Sequence, residues 1–324
     1  MLVGLQFHSE LVGPSLVLGV VEAGMYGLLA IALVLTFRVS RTVAFVHGGL
    51  AILGAVGYWL LTYPPSFAIP FSIEPYSLPG RRLELPGLVA LLIVVGVGTV
   101  LGAGYGRIVT GRRMSQLSRP MLTTFSIGIM LLLAGIVTDV FYIQPDAIPK
   151  SPFGPSQFWV LGWYLSVHRI VSVATAVALM LALAFVLTRT RFGVDVRAIA
   201  DDIEASQWAG VNLRRTGTMV YAGAGGIATL AGALMAPMIG PDPFSVFFLF
   251  LRALTVAVVG GFSSFTLALG GAVVLGLVDT ALRTGLVGRS TLGQREMVIM
   301  AIISLVVVVV ARRRPVLELV DESI

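Results

Sequence analysis

Residues 246–283 read VFFLFLRALTVAVVGGFSSFTLALGGAVVLGLVDTALR, and how this stretch crosses a bilayer decides the fold. A bilayer core takes about 20 apolar residues as helix. The stretch is too long for one span and is interrupted at Gly260-Gly261-Phe262-Ser263-Ser264. It therefore reads as two segments, 246–259 and 264–283. Working outward, further apolar runs lie at 14–37, 42–63, 86–106, 120–143, 168–188, 216–237 and 296–311. Backbone polar groups find no water in the bilayer core, so these runs should be helical, and the alternation expected of a membrane barrel is absent. The sequence thus predicts an all-α polytopic membrane protein with about nine transmembrane segments (range 8–10).

Composition points the same way. Hydrophobic residues make up 57% of the 324 positions and charged residues only 12%, where a soluble domain carries about 25%. Mean hydropathy is +0.95. The net charge of +6 forms no basic stripe with interleaved aromatics, so no nucleic-acid partner is expected. Cysteine is absent, which removes disulfides, thiolate metal sites and cysteine nucleophiles. Three scattered histidines without an HExxH pattern give no metal site, and no cofactor is expected. No Lys or Arg precedes Arg38, so the first apolar run lacks a signal peptide's positive start and is expected to be kept as a span.

Basic residues gather in cytoplasmic loops. With the 107–119 loop placed inside, 38–41, 189–215 and Arg312-Arg313-Arg314 also fall inside. That gives 14 basic residues inside and seven outside, with Arg252 within a segment. The N-terminus is then outside and the C-terminus cytoplasmic, and this holds only if 246–283 crosses twice. The outer loops 64–85 and 144–167 are rich in Pro and aromatics, including Trp159 and Trp163. Pro limits regular structure there, and the loops suit the headgroup level or a docking surface for an outside partner.

Glycines cluster within the spans. Gly98, Gly102 and Gly106 repeat every four residues, a spacing that lets helix backbones approach closely. Two interruptions occupy comparable places in two related halves, Ala44-Phe45-Val46-His47-Gly48-Gly49 and Val259-Gly260-Gly261-Phe262-Ser263-Ser264. Broken helices in corresponding positions point to a transporter's substrate site, because opened helix ends expose N–H and C=O groups to a polar solute. The candidate substrate-pathway residues are accordingly Phe45, His47, Gly48, Gly260, Gly261 and Ser263, with Glu22 as the deeper of the rare ionisable groups within spans. Asp139, Arg252 and Asp279 complete that set, and both aspartates lie near span ends where snorkelling is the simple expectation.

The largest inside loop, 189–215, reads RTRFGVDVRAIADDIEASQWAGVNLRR. Its mixed charge exceeds what a tether needs. Its centre suits one short amphipathic helix, stopped by Gly210 and able to fill a partner's groove.

The segments 26–59, 197–237 and 251–282 together resemble the permease subunits of bacterial branched-chain amino acid ABC importers, in that family's order. Residues 26–59 resemble its first-half signature, although Ala44 stands where the family has Asn and Gly49 where it has an acid. Residues 197–237 resemble its coupling loop and following helix, with Ile203 at a frequent Pro, and 251–282 its second Gly-Gly motif. The resemblance implies a single transmembrane permease domain over 1–324 in a bacterial inner membrane. It implies a second permease subunit (homo- or heterodimer), two cytoplasmic ABC ATPase subunits and an extracytoplasmic solute-binding protein. It places Arg197, Ala198, Asp202, Glu204, Ala205 and Gly210 at the contact with the ATPase. The expected cargo is a branched-chain or other hydrophobic amino acid, alternatively urea or a short amide. No GxxxxGK[ST] loop is present, so the chain is expected to be no enzyme and nucleotide is left to partners. The rival reading is a secondary transporter driven by ions through Glu22 and Asp139.

Overall fold

A computed structural model of the chain describes residues 12–62, 85–111, 114, 117–140, 148–160, 163–262, 264–284, 297–302, 304, 305 and 308. In chain order the elements are α1 (Val12–Ser40), α2 (Val46–Thr62), α3 (Gly87–Val109), α4 (Arg119–Val140), β1 (Gln157–Val160) and β2 (Trp163–Ser166). They continue with α5 (Val167–Arg189), α6 (Arg191–Asp201), α7 (Ile203–Trp208), α8 (Leu213–Ile239), α9 (Pro243–Val259) and α10 (Phe265–Thr284). Among the described residues six helices are long and apolar enough to cross a membrane. The apolar α2 and α9 are shorter, at 17 residues each, near the lower limit of about 17 for a span. Residues 297–302 are helical, while part of the run predicted at 296–311 lies outside the described residues.

Burial separates centre from rim. In α1 and α8, 78% and 72% of the most apolar window is buried, against 22% in α3 and α4 and 17% in α5. The rim helices therefore turn side chains such as Leu92, Leu131 and Leu181 outward, as lipid-facing helices do. Around the centre, α3 and α2 pack on α8, α10 runs along α1, and α9 lies against α1, α2 and α10.

The stretch 246–283 does form two antiparallel helices. Phe262, in the turn between them, stacks on Phe37 at 4.5 Å between ring centres. At the far end of α10, Thr284 shares a 2.7 Å hydrogen bond with Ser15. Those two α1 positions are about 33 Å apart at 1.5 Å per residue, so α10 runs the length of α1. Other connections sort the same way. The α1–α2 link touches Ala200, at the end of α6, through Arg41, whereas Tyr58 near the end of α2 donates to Lys150 O at 2.8 Å. Two expectations need correction. The 144–167 loop, expected to lack regular structure because of its prolines, carries the antiparallel pair β1–β2, with Trp159 opposite Tyr164; its prolines at 145, 149, 152 and 155 all precede the strands. The single helix expected in 189–215 is two, because Asp202 leaves helical geometry to accept from Ala205 N–H at 3.0 Å and cap α7.

The glycine spacing serves packing, as expected. A Cβ on Gly102 would lie 2.4 Å from Tyr221 O, and one on Gly232 only 1.9 Å from Ala51 O. Backbone lies against backbone there, and no side chain can yield. Gly232→Val should push α2 off α8 and destabilise the fold by about 3 kcal/mol, the upper end of the usual overpacking cost. Gly223→Ala, at a site with open space around it, should leave stability unchanged. Thermal unfolding of both variants in mild detergent checks this, and equal midpoints would refute it.

Candidate functional site

Three features that are distant in sequence converge on the last turn and a half of α1. The first is the α1–α2 break. His47 is fully buried, with Nε2 3.3 Å from Thr36 Oγ1 and its ring stacked on Tyr221 at 6.1 Å. Phe45 tilts against Phe250 at 5.7 Å, and its N–H donates to Ser126 Oγ at 3.1 Å. Gly48 fits because a Cβ there would meet Phe250 at 2.9 Å and Met130 Sδ at 3.0 Å. The break is thus filled by side chains from α4, α8 and α9.

The second is the α9–α10 turn. Gly260 caps α9, its N–H donating to Val256 O and that of Gly261 to Val258 O. Gly261 and Phe262 follow in left-handed geometry, with φ of 58° and 54°. Glycine adopts this freely, but a phenylalanine does not. The conformation is held by the bond from Phe262 N–H to Ala257 O at 2.9 Å and by the stack on Phe37. Next to it, the Arg38 guanidinium lies 4.6 Å from the centre of the Phe265 ring, a cation–π distance. Ser263 lies outside the described residues.

The third is α6–α7. Arg41, itself at φ 53°, donates to Ala200 O and so ties the end of α1 to α6. Arg197 donates to Leu187 O, and it and Ala198 are half-buried; both help seat α6 under α5. By contrast Asp202, Glu204, Ala205 and Gly210 are exposed, and Trp208 is 91% exposed. Gly210 has φ 87° and ends α7 with its N–H on Gln207 O and Val211 N–H on Ser206 O, a helix-ending pattern that favours glycine.

Glu22 stands apart. It precedes Thr36 by 14 residues on one helix, about 21 Å, and belongs to a charged cluster of its own. Arg283 Nη1 lies 2.8 Å from Glu22 Oε1. Tyr26 donates to Asp279 Oδ2 at 2.5 Å, and Arg252 Nε and Arg283 Nη2 approach the same oxygen at 3.7 and 3.6 Å. Asp279 is fully buried and does not snorkel. Ion pairs between α1, α9 and α10 offset the cost of burying its charge. Asp139 is exposed near the end of α4.

A family model described as "Branched-chain amino acid transport system / permease component" matches residues 15–311. The chain belongs to this family. It is 24% identical over 270 residues to the high-affinity branched-chain amino acid transport system permease protein LivH of Escherichia coli K12, covering 81% of this chain and 82% of that one. It is 25% identical over 292 residues to the probable LivH of Methanocaldococcus jannaschii, covering 90% and 86%. It also resembles the galactose/methyl galactoside import permease MglC of Escherichia coli K12, at 31% over 183 residues and 55% and 52% coverage. No solved structure matches. The resemblance drawn from the motifs is therefore established at the level of the family, and the chain is a multi-pass membrane permease.

Sequence reasoning about this permease missed Thr36, Phe37, Arg41, Tyr221 and Phe262 at the convergence, and Tyr26 and Arg283 in the charged cluster. For Phe262 a signal existed: a large aromatic directly after two glycines, in a turn, needs a packing partner. For Tyr26 it was the i, i+4 spacing from Glu22.

Proposed function

We propose that this permease is the path-forming subunit of an ABC importer, moved by partner ATPases that dock on α7. A solute-binding protein delivers the cargo at the opposite end. The observation that carries the reading is the convergence on residues 36–41 of α1: α6 is bonded to Arg41, and both helix breaks lean on Thr36 and Phe37. A displacement of α6–α7 by nucleotide-driven closure then reaches both breaks without crossing the bilayer. The exposed Trp208, with Ala205 and Glu204 beside it, presents an aromatic anchor of the kind that dominates protein interfaces. A branched-chain or other hydrophobic amino acid is the favoured cargo, in line with the family and the two LivH relatives. The likeness to the MglC sugar permease supports a second reading, a neutral sugar.

Reconstitution with candidate ABC ATPases and a solute-binding protein from the same organism tests this. Glu204→Lys and Gly210→Trp should abolish ATP-driven uptake, with the permease still inserted at normal levels. Normal uptake by both variants would overturn the docking assignment. Uptake by the permease alone on an ion gradient would replace the whole reading with a secondary transporter.

A further inference from the structure

At the end of the molecule away from α6–α7, a cavity of about 350 Å³ opens between the β1–β2 hairpin, the start of α5 and the end of α8. Its size falls in the range of about 300–1,000 Å³ typical of small-molecule sites. The hairpin register explains its polar wall. Gln157 pairs with Ser166 and Trp159 with Tyr164, so alternate residues place Gln157, Tyr164 and Ser166 on one face, and all three line the cavity. Arg169, in the first turn of α5, lines it too. Among the described residues no carboxylate lines it. The acid whose charge reaches Arg169 is Glu22, which is already held by Arg283 at 2.8 Å. Among the described residues no carboxylate lies within ion-pair distance of Arg169. The cavity also meets the N-terminal end of the 23-residue α5, where the helix dipole adds positive potential. His168 fixes that end, its Nε2 donating to Leu234 O of α8 at 2.7 Å.

A guanidinium, a helix N-terminus and neutral hydrogen-bonding groups, with no acid among them, form a surface made for one negative charge. The geometry points to this cavity as a binding site for a small solute bearing a carboxylate, engaged by the Arg169 guanidinium. A guanidinium meets a carboxylate through two parallel N–H···O bonds, which neither an amide nor a sugar hydroxyl can supply. The inference rests on the transport reading and deepens it: the site lies at the end opposite α6–α7 and selects acid-bearing cargo over neutral sugars.

The test uses the purified full-length permease in nanodiscs, without ATPases. The probes are 3-methylbutanoate, its neutral amide and galactose, followed by saturation-transfer NMR. The carboxylate should bind while the amide and galactose do not. Arg169→Gln should weaken its binding at least tenfold, and Arg169→Lys should restore part of it. Gln157→Leu, on the exposed hairpin and outside the helix packing, should weaken it severalfold and keeps the test open if Arg169→Gln fails to fold. Equal binding of acid and amide, or unchanged binding in Arg169→Gln, would overturn the site. Galactose binding that survives Arg169→Gln would assign the cavity to a neutral sugar instead. Because the readout needs no nucleotide, loss of the site leaves the ATPase-driven reading intact. Failure of ATP-driven uptake likewise leaves the site standing.

Discussion

Asp279→Ala should destabilise the permease by about 3–5 kcal/mol, the usual cost of removing one partner of a buried ion pair. Asp279 is fully enclosed and the Arg252 side chain is 7% exposed, so water cannot take over the lost interaction. The substitution also strips Arg283 of one contact and Tyr26 of its shorter hydrogen bond, leaving the one to Glu22 Oε2 at 3.3 Å. Tyr26→Phe removes only the phenol's bonds to Asp279 and, at 3.3 Å, to Glu22, and should cost about 1.5–3 kcal/mol, as for a hydrogen bond to a charged group. The paired change Arg252→Met with Asp279→Leu removes both charges and should recover much of the loss, because well-packed apolar replacements of buried ion pairs are often neutral or stabilising. Denaturation in mixed micelles would rank the variants. A cost below about 1 kcal/mol for Asp279→Ala would mean that the cluster is solvated and does not bind α1, α9 and α10 together.

The contrast between this cluster and the spans shows what a sequence exposes. The spans were legible because each is a local run of apolar residues, and the α9–α10 turn because Gly260-Gly261 interrupts one. Asp279 was not legible. It lies near the end of its segment, where snorkelling is the local expectation, and the partners that hold it include Tyr26, more than 250 residues away, and Arg252 on the neighbouring helix. The β1–β2 pair was hidden because Pro density dominated the whole loop, although every proline falls before the strands. The division of 189–215 was hidden because Asp202 reads equally well as a helix-surface acid or as a cap. The candidate pathway residues were half legible. Phe45, His47 and Gly48 do gather at one break and Gly260 and Gly261 at another, but Glu22 lies about 20 Å from the first on its helix. What brings the two breaks together is an ordinary-looking stretch, Thr36-Phe37, whose role exists only in three dimensions.

That role yields the second large effect. If α7 docks ATPases as proposed, Phe37→Ala should leave the permease folded and docked yet lower the uptake obtained per ATP hydrolysed. The Phe37–Phe262 stack is the contact between the end of α1, to which α6 is bonded, and the strained turn that joins α9 to α10. Without the ring, displacement of α6 still moves Arg41, but the turn is free to keep its own geometry. Site-to-site coupling is commonly about 1–3 kcal/mol, or 5–150-fold, and loss of the stack should remove an effect in that range. Phe262→Ala should give the same loss, and the double variant no more than either single one, since both delete one interaction. Phe262→Gly separates coupling from strain: it relieves the left-handed backbone, so it should raise stability relative to Phe262→Ala and still fail to couple. If Phe37→Ala transports with unchanged stoichiometry, force reaches α9 and α10 by another route. Another direct link on that side is Arg38 over Phe265, and Arg38→Gln would then carry the loss.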